Sequence, residues 1–190
     1  MGPSGCSAME REICESADVV SRIVRNRFAV AEVAKHLDIG VAPLVVLCGR
    51  GSSGHAGVFL RYLIETRLHL PVSASAPSVI TAFRKPLTLR NALFIVISQS
   101  GRSPDLVAAT QSARASGGRT VAIVNAVPSP VADAAEFVIP IEAGPEHSVA
   151  ATKTVVGSMT AQGLNWSRNW PMTRLLGRPS TDCPSAFTAR

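Results

Sequence analysis

Apolar and polar positions alternate along this chain in two rhythms. Over residues 9–37, Ile13, Val19, Val20, Ile23, Val24, Phe28, Val33, Ala34 and Leu37 are spaced mostly by three, four or one, with charges between them. That spacing predicts a long amphipathic helix with room for one break. Gly40 stops it, Pro43 follows, and LVVLC reads as a short buried strand running into the glycine-rich GRGSSG. A helix through Val58, Leu60, Tyr62 and Ile64 comes next. The alternation then repeats: a short strand over 71–74, a turn at Pro77, the strand ALFIVI, a helix over 104–115 and the strand RTVAIVN. A turn at 128–130, a short helix near 131–134, the strand FVIPI and a helix over about 147–162 complete it. Five apolar runs joined by helical crossovers predict a parallel sheet covered on both faces, an α/β doubly wound domain.

Such sheets bind ligands beyond the carboxyl ends of their strands. GRGSSG follows the first strand, SQSGRS the third and AGPEHSVAATK the fifth, so all three polar loops fall on one edge. In SQSGRSPD, Ser103 suits a helix N-cap, Pro104 the first helical position and Asp105 the first turn. A cap and turn leave Ser98, Gln99, Ser100 and Gly101 unexplained. Hydroxyls and a permissive glycine beside the unpaired N–H groups of a helix start are the ingredients of an anion cradle that needs no metal. Both readings stand on these residues. GRGSSGHA is neither a Walker loop nor a dinucleotide fingerprint; it is equally a tight turn capped by Ser52 or Ser53. Arg50 and Arg102 are free either to add charge to a phosphate or to face solvent. His55 lies one turn beyond the first loop, where packing or surface roles are commoner than ligand contact; His36 and His69 sit beside element ends and read as structural. Glu146 and Lys153 are seven apart and would share a face if the last helix starts early, and Glu146 also suits a helix start on dipole grounds alone. It is the one motif carboxylate available as a base, a weak candidate, and no Ser/His/Asp triad or paired carboxylate can be found.

Composition narrows the function. The 190 residues are 46% apolar, enough for one cored domain, and only 5% aromatic, which suits helices packed on a sheet better than a base-stacking surface. The net charge is +6, but half of it sits in the last 28 residues and no block of like charge occurs, so neither nucleic acid nor a membrane surface is the expected partner. Cys6, Cys14, Cys48 and Cys183 form no C-x-x-C pair and no metal-ligand spacing with the four His. A reduced, cytoplasmic protein without metal or cofactor is the expectation. A charged-then-apolar leader and an apolar run of about 18 residues are both missing, which supports neither secretion nor a membrane span.

Taken together, CGRGSSGHA, ISQSGRSPDLV and AGPEHSVAATK resemble the sugar isomerase (SIS) family of phosphosugar-binding domains, in order and at suitable separations. The branch most resembled is the isomerase half of glucosamine-fructose-6-phosphate aminotransferase (isomerizing) and its glutaminase-lacking relatives, and MEREICESADVV looks like the start of that module. The resemblance covers about residues 9–161. It implies a three-layer flavodoxin-like sandwich with a five-stranded parallel sheet, and a hexose 6-phosphate such as fructose 6-phosphate or glucosamine 6-phosphate as ligand. It implies that Ser98, Gln99, Ser100 and Ser103 hold the phosphate, while Ser52 and Ser53, with the backbone around Val149 and Ala150, line the sugar. Gly54 stands where relatives commonly carry an acidic or aromatic residue, and Ala151 where the aminotransferases have serine. In the family the isomerase module pairs two such domains, the second supplying the ring-opening histidine, enolisation glutamate and closing lysine. The expected organisation is a helical segment over 1–37, the SIS domain over 38–162, and an irregular tail over 163–190 that reads as a truncated or frameshifted continuation. A homodimer is the expected assembly. The alternatives are a non-catalytic phosphosugar-sensing module and a single-domain oligomeric isomerase.

Overall fold

In the computed structural model the described residues are 7–27, 33, 36, 37 and 42–168. Five strands, β1 (Val45–Cys48), β2 (Val72–Ala74), β3 (Leu93–Ser98), β4 (Arg119–Val124) and β5 (Phe137–Pro140), form one sheet in the order β2-β1-β3-β4-β5. Every pairing is parallel. The strands carry the branched side chains that a pleated buried surface favours. β1, β3 and most of β4 are buried at every position, as a sheet covered on both faces requires.

Alternation along the strands sorts the core into two layers. Val45, Leu47, Leu93, Ile95, Ile97, Val121 and Ile123 point to one face, under helices α2 (Ser16–Arg25), α3 (Gly51–Leu68) and α7 (Lys153–Arg168). Val46, Cys48, Phe94, Val96, Ala122 and Val124 point to the other, under α5 (Pro104–Ala115) and α6 (Pro130–Ala134). The result is the predicted three-layer α/β sandwich. The chain steps outward from β1 to β2, then crosses back to β3 and continues through β4 to β5. The direction of winding therefore reverses between β1 and β3, where this topology opens a crevice at the carboxyl edge.

The N-terminal helix, expected with room for one break, is broken at Glu15 into α1 (Ala8–Cys14) and α2, with a Ser7–Glu10 capping box starting α1; Phe28 and Ala34 lie outside the described residues. Other expectations are corrected. Pro77 begins a short helix, α4 (Pro77–Thr81), instead of making a turn, since proline is well tolerated at a first helical position. The last helix starts at Lys153, not near 147, and runs to Arg168. Residues 169–190 of the predicted irregular tail lie outside the described residues.

Candidate functional site

The loops after β1 and β3 flank the crevice, and a side-chain pair ties them: Arg50 Nη1 donates to Asp105 Oδ2 at 2.7 Å. Arg50 is the N-cap residue of α3 and its side chain caps nothing. Ser52 and Ser53 lie inside the first turn of that helix, so neither is the cap that a simple turn would need; both are half-buried and neither hydroxyl is hydrogen-bonded among the described residues. His55, one turn on, is exposed.

The β3 loop is folded by its own side chains. Ser98, the last residue of β3, is buried and its Oγ accepts the Gly101 N–H at 3.0 Å, while Ser100 Oγ accepts the Arg102 N–H at 3.3 Å. Gly101 has φ +64°, and a Cβ there would stand 2.3 Å from Ser129 Oγ. The Gly101 carbonyl in turn accepts the Val131 N–H at 2.9 Å. Only glycine fits this backbone. Ser103 occupies the N-cap position of α5, yet its side chain makes no capping bond; Asp105 Oδ1 accepts the Leu106 N–H at 3.0 Å instead. The expected Ser103 side-chain cap is thus replaced by Asp105, which leaves the hydroxyl uncommitted. Gln99 and Ser103 make no side-chain hydrogen bond among the described residues, and the backbone N–H groups of Ser100 and Ser103 donate to no protein acceptor there. Arg102 is exposed beside them.

The third loop is built differently. Asn125, just past β4, accepts the Ala143 N–H at 2.7 Å and donates to the Gly144 carbonyl at 2.8 Å. Both carboxylate oxygens of Glu146 are engaged by nearby donors. Its carboxylate accepts the Thr152 N–H at 2.6 Å, the Thr152 hydroxyl at 3.0 Å, the Thr154 N–H at 3.2 Å and the Thr154 hydroxyl, and so closes the start of α7. Lys153 does not share a helical face with it; its buried Nζ pairs with Glu15. Val149 and Ala150 stand exposed at the loop tip. Among the described residues no hydrogen bond joins the tip to either other loop.

Two ionisable groups near the edge are shifted. The Glu12 carboxyl is held below the ordinary glutamate range, first by the His147 N–H, then by the Ser148 hydroxyl, with Lys153 adding a smaller attraction. Burial pushes the Cys48 thiol up to about 12, with the Asp105 charge adding to the effect. Beside Cys48, a cavity of about 120 Å³ opens between α3 and the β1–β2 edge, walled by Leu47, Val58, Val72 and Ile97 and reaching Ser53.

Comparison with known proteins fits this geometry. The SIS domain family model matches residues 41–164. Glutamine–fructose-6-phosphate aminotransferase (isomerizing) from Clostridium acetobutylicum is 34% identical over 173 residues, 85% of this chain and 28% of that protein. A protein from Silicibacter pomeroyi described as a candidate phosphosugar isomerase superposes with a TM-score of 0.80 at 41% identity, over 85% of this chain and 50% of that one. The C-terminal domain of glucosamine-fructose-6-phosphate aminotransferase from Francisella tularensis gives a TM-score of 0.73 at 24% identity, over 86% of this chain and 47% of that one, a likeness of fold. The chain thus spans about a quarter of the curated relative's length and about half of these solved chains. No helix among the described residues is long and apolar enough to cross a membrane. With the crevice, the self-folded serine loop and the family match in agreement, this chain belongs to the SIS domain family.

Proposed function

We propose that the chain is the phosphosugar-binding half of a sugar-phosphate isomerase or aminotransferase, taking a hexose 6-phosphate at the carboxyl edge of the sheet. One observation carries the reading: the β3 loop presents uncommitted donors from Gln99, Ser100 and Ser103 at the start of α5, while the Gly101 N–H is spent on Ser98 Oγ in shaping the loop. Converging N–H and O–H donors with a helix start suit a phosphate. The free hydroxyls of Ser52 and Ser53 and the backbone at Val149 and Ala150 line the sugar in this reading. Phosphate binding supplies energy remote from the reacting carbon and orients the substrate.

The chemistry itself, proton transfer next to a carbonyl, needs a base with a free oxygen near its substrate. Glu146, the weak catalytic candidate, has both oxygens committed to α7. That favours binding and orientation as this half's task, with the proton-transfer groups supplied by a second domain or by a neighbouring subunit of a homodimer. Calorimetric titration with glucosamine 6-phosphate, fructose 6-phosphate and the corresponding free sugars tests the reading. Binding is expected only for the phosphorylated pair, and Ser100→Ala is expected to weaken it by about 1–3 kcal/mol, the scale of a charge-assisted hydrogen bond. Equal affinity for phosphorylated and free sugars would refute it.

A further inference from the structure

The segment preceding the sheet does more than cover it. Helix α1 is seven residues long, too short to persist without outside support. Its apolar residues Met9 and Ile13 are 42% and 51% exposed, and its one buried residue is a carboxylate, Glu12, at 3%. Hydrophobic packing therefore does not explain why α1 sits where it does. Glu12 accepts the His147 N–H, the Ser148 N–H at 3.1 Å and the Ser148 hydroxyl. All three donors belong to the two residues immediately before Val149. On the far side of the tip Glu146 takes the Thr152 and Thr154 donors, so residues 149–151 are bracketed by two carboxylates. One step beyond α1, Glu15 pairs with Lys153 and fixes the same helix start from outside.

We infer that Glu12 is a positioning residue for the sugar loop: from 135 residues away in sequence it sets where the Val149–Ala150 backbone stands, and thereby the affinity for the sugar moiety of a hexose phosphate. Backbone N–H bonds to an ionised acceptor belong to the strong class, and here they act on the loop that carries the contacts. The inference rests on the reading that the backbone at 149–150 lines the sugar. It separates the two halves of the ligand, because the phosphate belongs to the β3 loop, where Glu12 makes no bond.

The test is calorimetry on the full chain with two probes, glucosamine 6-phosphate and inorganic phosphate, for the parent, Glu12→Gln and Ser148→Ala, with a thermal melt of each. Glu12→Gln is expected to weaken glucosamine 6-phosphate about tenfold and leave inorganic phosphate within about twofold, consistent with losing one charge-assisted contact's worth of order in the loop. Ser148→Ala, which deletes a single partner hydroxyl and leaves the carboxylate in place, is expected to act in the same direction, about threefold. Hydrogen exchange at the His147 and Ser148 amides should accelerate in Glu12→Gln while the β3 and β4 amides stay protected. Unchanged sugar-phosphate affinity in both variants overturns the inference, as does a parallel loss for both probes, which would make Glu12 a purely structural group. Failure of the parent to bind either probe would instead sink the phosphosugar reading, and this inference with it.

Discussion

The loop after β3 closes on itself, Ser98 taking the Gly101 N–H and Ser100 that of Arg102. The loop after β5 is held from outside by Asn125 at its base and Glu12 before its tip, and by its own Glu146 after the tip. Each contains a glycine at positive φ, Gly101 at +64° and Gly144 at +78°. Around Gly101 the space is filled by Ser129, whereas a Cβ on Gly144 would meet nothing within 4 Å. The first loop is thus rigid by packing and short local bonds, fit to hold a compact anion of fixed shape. The second takes part of its shape from Asn125 and Glu12, side chains recruited across the molecule, and its tip stays open.

Breaking each loop at its glycine should expose the contrast most strongly. Gly101→Ala adds backbone strain of about 1–2 kcal/mol and an overpacking cost of about 1–3 kcal/mol, because Ser129 is itself buried and its Oγ caps α6. Urea denaturation should show a loss of about 3 kcal/mol, against about 1 kcal/mol for Gly144→Ala, which carries the strain alone. Equal losses would erase the distinction. Next in size, Glu146→Ala removes the cap of α7 and should cost about 1–2 kcal/mol in the same measurement; if Glu146 were instead a strained, uncommitted base, stability would hold or rise.

Acid sharpens the comparison further. The Glu12 carboxyl is lowered in the folded protein, so as pH falls the unfolded chain takes up the proton first and protonation favours unfolding. The stability it contributes is full above the ordinary glutamate value of about 4.3 and is lost as pH falls through the lowered folded value. Melting temperature followed from pH 6 downward, to about pH 3, should therefore fall less steeply in Glu12→Gln than in the parent. Matching slopes would show that the clamp does not titrate as described. The smallest effect belongs to the exposed Arg50–Asp105 pair joining the β1 and β3 loops, where Arg50 is 68% exposed. Arg50→Ala should shift stability by less than about 0.5 kcal/mol and become silent at high salt.

How much of this could be read beforehand divides along the same line. The strands and α5 were legible because the apolar runs are sharply bounded and Ser103–Pro104–Asp105 marks a helix start by residue type. The β3 loop was legible in part: the partners of its two serine hydroxyls are three residues apart or fewer, whereas the Val131 N–H on the Gly101 carbonyl comes from far along the chain. The N-terminal helix was legible with room for a break, but the break's position at Glu15 was not, as no glycine or proline marks it. The late start of α7 was hidden because AATKT carries no local stop; the helix begins where a carboxylate six to eight residues upstream binds Thr152, just before it, and Thr154, in its first turn. Glu12, Glu15 and Asn125 escaped notice for a related reason: 18 to 138 residues separate them from the groups they hold, and nothing in local sequence signals such partners.

The Lys153–Glu15 pair also bears on how this protein should be cut for expression. The SIS family match starts at residue 41, but Val19 and Ile23 of α2 sit in the same apolar layer as β1, β3 and α7. Gly157 of α7 is so close to Val19 that a Cβ there would lie 3.0 Å from it. A fragment trimmed to the matched range would uncover that seam and take from Lys153, 4% exposed in the intact fold, both its counter-ion and part of its cover. Insolubility of such a fragment would then report a misplaced cloning boundary and would say nothing about the ligand.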